Sequence, residues 1–251
     1  MPAPVTLPRL SWGEPAAPRR ALLVHGLGSN GALMWRYGTW LADTGWHATA
    51  VDLRGHGTAP RALDYSIAAY AADLSRTGTR DDSPWDLVIG HSLGGAAATL
   101  ASADAPAWTR RLILVDPAIH LSDHDRNVVR NSQERSFADP TEASVRAEHP
   151  TWHPHDIELK ALSAQQASRW AVEQTSAQNS PWDVRAAAAR LTVPTHVIAS
   201  DPAVYSIFTG ALVEEVRQNP VVTVSVVTGA GHSPHRDLPE DTMRHLAAAL
   251  D

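Results

Sequence analysis

The sequence contains no cysteine, which excludes disulfides, thiolate metal ligands and a cysteine nucleophile. It also lacks a basic surplus. Its 21 Lys and Arg stand against 27 Asp and Glu, for a formal net charge of -6, and no run of Lys and Arg offers phosphates a footprint, so no nucleic acid partner is expected. No apolar stretch reaches the length of a membrane-spanning helix, and the first ten residues are proline-rich rather than basic and then apolar. No membrane association and no secretory signal are therefore expected, which makes a cytoplasmic location the default.

What is present is enough apolar material for one large domain: 251 residues, 43% of them hydrophobic. Short runs rich in β-branched residues recur at 20–25, 48–52, 86–90, 111–116, 195–199 and 221–228. Stretches of helical length lie between most of them, at 31–43, 66–76, 93–104 and 208–218. Strand alternating with helix predicts an α/β fold, a mainly parallel central sheet with helices on both faces. From about Ala118 to Trp182 the rhythm stops, no strand is expected, and polar helix formers, histidines and Trp152, Trp170 and Trp182 take over. A structureless loop of that length would be unusual in a compact domain. The expected organisation is a core of residues 1–117 and 183–251 with a helical lid of residues 118–182.

Three glycine-rich segments carry the chemistry. Gly90-His91-Ser92-Leu93-Gly94-Gly95 follows an apolar strand and opens a helix, the setting required of a G-x-S-x-G nucleophile elbow. Glycines let the chain double back there while the Ser92 hydroxyl stands above the sheet, and the Leu93 N–H falls at a helix start, aimed where an oxyanion would form. His25-Gly26-Leu27-Gly28 follows the first strong strand, and Gly229-Ala230-Gly231-His232 follows the last. An imidazole on such a loop can take a serine proton and return it to a leaving group.

With Asp52-Leu-Arg-Gly-His-Gly57 between them, these segments occur in an order and spacing that resembles the α/β-hydrolase family from about residue 20 onward. The resemblance implies Ser92 as nucleophile, His232 as base and the N–H groups of Leu27 and Leu93 as the oxyanion hole. His25 would be structural, Asp52 part of a structural loop, and His235 a solvent-facing bystander. The family usually carries its acid after the penultimate strand, where Asp201-Pro-Ala-Val204 matches if the loop is two residues shorter than usual. Asp201 is therefore the expected acid. Asp116, in Val115-Asp116-Pro117 at the preceding strand's end, is the alternative, since some members place the acid there, though Asp-Pro also serves as turn chemistry.

A serine at the elbow points to attack on an acyl carbon. The expected activity is hydrolysis of a carboxylic ester or lactone of a hydrophobic small molecule through an acyl-enzyme. The alternatives are a C–C bond hydrolase, a perhydrolase or a thioesterase of the same fold, or a ligand receptor with little turnover. Gly26, Trp152, Trp182 and Ile207 are candidate pocket residues, with Trp35, Trp170 and Phe208 as further apolar candidates. Trp152-His153-Pro-His155-Asp156 is too local a cluster to suggest zinc, so no metal and no cofactor are expected. A homodimer is left open.

Overall fold

The computed structural model describes residues 3–251. Seven strands form one sheet: β1 (Arg9–Trp12), β2 (Arg19–Val24), β3 (Trp46–Val51), β4 (Leu87–His91), β5 (Leu112–Val115), β8 (Thr195–Ser200) and β9 (Val222–Val227), in the order β1-β3-β2-β4-β5-β8-β9. All neighbours are parallel except β1, which runs antiparallel to β3. Two two-residue strands, β6 (His120–Leu121) and β7 (Trp182–Asp183), pair separately and antiparallel.

The central strands are apolar on both sides because both sides are covered. Leu22, Val24, Val88, Leu112 and Val197 face one cluster with α2 (Ile67–Ser75), α3 (Leu93–Asp104) and α8 (Arg185–Ala189). Leu23, Ile89, Ile113 and Ile198 face the other, with Tyr37 and Leu41 of α1 (Trp35–Asp43) and Leu246 of α11 (Pro239–Leu250). Two short helices, α9 (Ala211–Val216) and α10 (Pro234–Asp237), flank β9. The Arg54 guanidinium makes two 2.7 Å bonds to Asp73 of α2, and both side chains are wholly buried. That pair ties the Asp52–Gly57 stretch to the helix layer.

Between β6 and β7 run four helices: α4 (Asp123–Ala138), α5 (Glu142–Glu148), α6 (Pro154–Gln166) and α7 (Arg169–Gln178). A capping box starts α4, with Ser122 Oγ accepting from the Asp125 N–H and the Ser122 N–H donating back to Asp125. No residue of α4 is fully buried. The short β6–β7 ladder lies in an interval where the sequence predicts no strand, and β1 lies ahead of the first run, 20–25, from which a strand is expected. Among the described residues, no helix is long and apolar enough to cross a membrane.

Candidate active site

The strand β4 ends at His91 and α3 begins at Leu93, so Ser92 alone makes the turn, with φ 53° and ψ -117°. A left-handed φ is costly for a residue with a side chain, and close backbone contacts hold it in place. A Cβ on Gly90 would lie 2.7 Å from the Gly94 carbonyl oxygen, and one on Gly94 would lie 2.5 Å from the carbonyl oxygens of Val24 and His25. The turn is therefore as tight as glycine permits.

His232 Nε2 lies 3.0 Å from Ser92 Oγ, and His232 Nδ1 lies 2.6 Å from Asp116 Oδ2. With the carboxylate as acceptor, Nδ1 carries the proton and Nε2 is free to accept from the serine. Asp116 is wholly buried, with φ 36°. It also accepts from Ser206 Oγ at 2.5 Å, the Ile207 N–H at 3.2 Å and the Ser200 N–H at 3.3 Å.

The structure thus places Asp116, not Asp201, against His232. In the sheet β5 adjoins β4, so its end lies beside the elbow, whereas β8 is one strand farther out. Asp201 spends its oxygens on the N–H groups of Gly229, at 2.7 Å, and Ala203, at 2.8 Å. Those two donors hold its carboxyl below the usual range. It staples the two loops together, and the Asp-Pro at 116 that could pass for turn chemistry is the one facing the imidazole.

The Leu27 and Leu93 residues both border the cleft at Ser92, and among the described residues neither N–H donates to a protein acceptor. His25 fixes this loop: its Nδ1–H donates to the Gly26 carbonyl at 2.7 Å and its Nε2 accepts from the Leu53 N–H at 3.0 Å. Burial lowers its pKa and keeps it neutral. Asp52 accepts from the N–H groups of Gly31 and Thr58, both at 2.8 Å.

Other expected residues divide. Trp182 and Ile207 line the cleft, and Gly26 lies against the nucleophile, where a Cβ would come 3.0 Å from Ser92 Cβ. Trp152 does not reach the cleft: its Nε1 donates to Asp237 at 2.6 Å and its ring stacks on His149. Trp35 donates to Asp156, Trp170 is 44% exposed against the edge of Tyr65, and Phe208 belongs to the core. His235 is not solvent-facing but wholly buried between Tyr37 and His91. His153 caps α6, His155 meets Glu158, and Asp156 is paired with Arg36. No group of three or more His, Cys, Asp or Glu placed to hold a metal occurs among the described residues.

Several site residues carry no sequence signal. Ser206 sits in an unpatterned loop. His91, at a variable position of the elbow, donates from Nε2 to the His232 carbonyl at 2.8 Å. Lys160 and Ser163 of α6 donate to the Gly28 carbonyl at 3.0 and 3.2 Å, and Gln133 of α4 reaches the Leu27 carbonyl at 3.4 Å. Burial brings the Lys160 ammonium down to about 8. Arg126 also lines the cleft.

Comparison with known proteins fits this geometry. A model of the alpha/beta hydrolase family matches residues 21–245. A lipase of Mycobacterium tuberculosis is 34% identical over 158 residues, a match covering 60% of this chain and 57% of the lipase, little more than half of that protein. The 2-(acetamidomethylene)succinate hydrolase of Mesorhizobium japonicum is 28% identical over 248 residues, covering 92% of this chain and 87% of that one. Among solved structures, an E-2-(acetamidomethylene)succinate hydrolase superposes with a TM-score of 0.83 at 24% identity, over 98% of this chain and 96% of that one. The enol-lactonase from Burkholderia xenovorans LB400 gives 0.79 at 17% identity, over 97% and 96%. At those identities the superpositions speak for the fold alone, and the family model, which spans nearly the whole sequence, shows that the chain belongs to the alpha/beta hydrolase family.

Proposed function

We propose that this protein is a serine hydrolase that cleaves a carboxylic ester or lactone of a small molecule through an acyl-enzyme on Ser92. The observation that carries the proposal is the unbroken chain from Ser92 Oγ through His232 to Asp116. As Ser92 Oγ attacks the carbonyl carbon, its proton passes to His232 Nε2, and Asp116 stabilises the imidazolium. The carbonyl oxygen, now negative, is received by the N–H groups of Leu27 and Leu93. Collapse breaks the bond to the leaving oxygen, which takes the proton from Nε2. Water then repeats the sequence, releasing the acid and restoring Ser92.

The helices α4 to α7 act as a cover in this proposal. They supply Val129 and Ser176, and the β6–β7 ladder at their base supplies Leu121 and Trp182, to a cleft of about 370 Å³, mouth included, whose walls also include Leu27, Leu93 and Ile207. The bonds of Lys160, Ser163 and Gln133 to the oxyanion loop support a cover that also holds that loop in shape.

The test is labelling with a fluorophosphonate, mapped by peptide mass, beside turnover of simple esters. A single adduct on Ser92, absent from Ser92→Ala, together with repeated turnover, is the expected result. Labelling without turnover would favour a receptor of the same fold, and no adduct would overturn the nucleophile assignment.

A further inference from the structure

The wall of the Ser92 cleft contains one charged side chain among the described residues, and it is a cation. Arg126, near the start of α4, lines the cleft with Ser92, Leu93 and Trp182, and no carboxylate does. The Arg126 side chain is 21% exposed. A guanidinium has five N–H donors, yet Arg126 makes one side-chain hydrogen bond, from Nη1 to Ser180 Oγ at 3.0 Å. Its nearest carboxylate is Asp123 at 3.9 Å, whose side chain is 99% exposed, so water screens that pair.

A charge withdrawn from water without a close counter-ion is unfavourable unless something completes its coordination. A second cavity of about 760 Å³, mouth included, borders the first at Arg126 and Ser176 and has Arg130 and Arg169 in its wall. Glu173 is bound to Arg169 at 2.8 Å, and Glu134 is the other acidic group there. Three guanidiniums against two carboxylates make this neighbouring cavity positive on a chain whose formal net charge is -6. A positive surplus beside the cleft raises the local concentration of small anions.

We infer that the substrate carries a carboxylate remote from its scissile bond, and that Arg126 binds this group while Ser92 attacks. This rests on the serine-hydrolase proposal and narrows it, from small-molecule esters and lactones at large to esters with an anionic end and an apolar middle. A planar carboxylate can take two parallel N–H bonds from one guanidinium, which a neutral ester cannot.

The test is a ratio of kcat/KM within matched pairs, read by pH-stat. Monomethyl adipate against methyl hexanoate places the carboxylate on the acyl side, and 4-acetoxybutanoate against butyl acetate places it on the alcohol side. The wild type is expected to favour the charged member of at least one pair by about 10- to 100-fold. Arg126→Met should bring that ratio close to one, and Arg126→Lys should keep part of it. Equal or better turnover of both neutral esters, or a preference that survives Arg126→Met, overturns the inference. If neither member of a pair is cleaved, the ester proposal fails on its own. Calorimetric titration of Ser92→Ala with the same four compounds still decides the carboxylate: tighter binding of a charged ester, lost in Ser92→Ala/Arg126→Met, supports it, and equal binding overturns it.

Discussion

Ser206 donates its hydroxyl to Asp116 Oδ1 at 2.5 Å while His232 approaches Oδ2 of the same carboxylate at 2.6 Å. Oδ1 is given wholly to the scaffold, and Oδ2 is shared between the Ile207 N–H and the imidazole. Ser206→Ala should leave substrate binding nearly intact and slow the chemical step, lowering kcat by about tenfold with KM little changed, since a hydrogen bond to a charged group contributes roughly 1.5–3 kcal/mol. Steady-state kinetics at fixed pH separate this from a loss of folded enzyme, which would scale activity with the folded fraction measured by circular dichroism.

The two aspartates give a sharper contrast. Asp116→Asn should cost about 10⁴-fold in kcat, the scale for removing the acid from such a triad. Asp201→Asn should stay within about tenfold of wild type, because its carboxylate serves two backbone N–H groups and not the imidazole. Rates for both variants on one ester decide it, and a reversed order would move the acid to β8.

Stability should fall with acid. Burial pushes His56 down to about 3 and His91 and His235 well below the usual imidazole range. These rings are neutral when folded, so the unfolded chain binds more protons once the pH drops below its own imidazole value of about 6.5. Full stability is therefore present above about pH 6.5 and is lost progressively below it, at about 1.4 kcal/mol per pH unit for each such histidine, until its folded pKa is reached. Urea unfolding at pH 7.5, 6.5 and 5.5 should show the decline. In His235→Phe the slope should drop by about one proton, and an unchanged slope would mean that His235 does not titrate this way.

The pair buried between Arg54 and Asp73 makes a prediction about folding alone. Asp73→Asn leaves a guanidinium buried without its counter-charge and should destabilise by about 3–5 kcal/mol. Chemical denaturation measures the loss. At temperatures where the variant is still folded, its rate on esters should match wild type, because neither residue borders the Ser92 cleft.

The strands that hold the site were legible for a physical reason. β2, β4, β5 and β8 are largely buried on both faces, so each carries a short apolar run with a glycine or aspartate at its end or within two residues after it. β1 was not legible, since Arg-Leu-Ser-Trp is an exposed edge strand with no buried face to pattern it. The helix expected at 208–218 shrinks to α9 because Gly210, at φ 57°, holds the chain out of helix before it. Elbow, oxyanion loop and histidine loop are local motifs and stood out. The acid did not, because Asp116 and Asp201 each end a parallel strand before a proline, and only the lateral order of strands tells which one meets the imidazole. Arg126 and Ser206 were silent for a similar reason: what gives them meaning is a neighbour far away in the chain.

The short ladder between β6 and β7 has a consequence for how such a protein can change. Leu121 pairs with Trp182, the Val184 N–H donates to the Ile119 carbonyl, and the Trp182 indole to the Ala118 carbonyl. The two ends of the four-helix excursion are thereby laced together at a single neck. Ser92, His232 and Asp116 lie outside that neck, while Arg126, Val129 and Ser176 lie within it. The chain thus leaves and rejoins the core at one place, yet Lys160, Ser163 and Gln133 bond back to the oxyanion loop, so a change within the inner stretch at those three positions also reaches the loop beside Ser92.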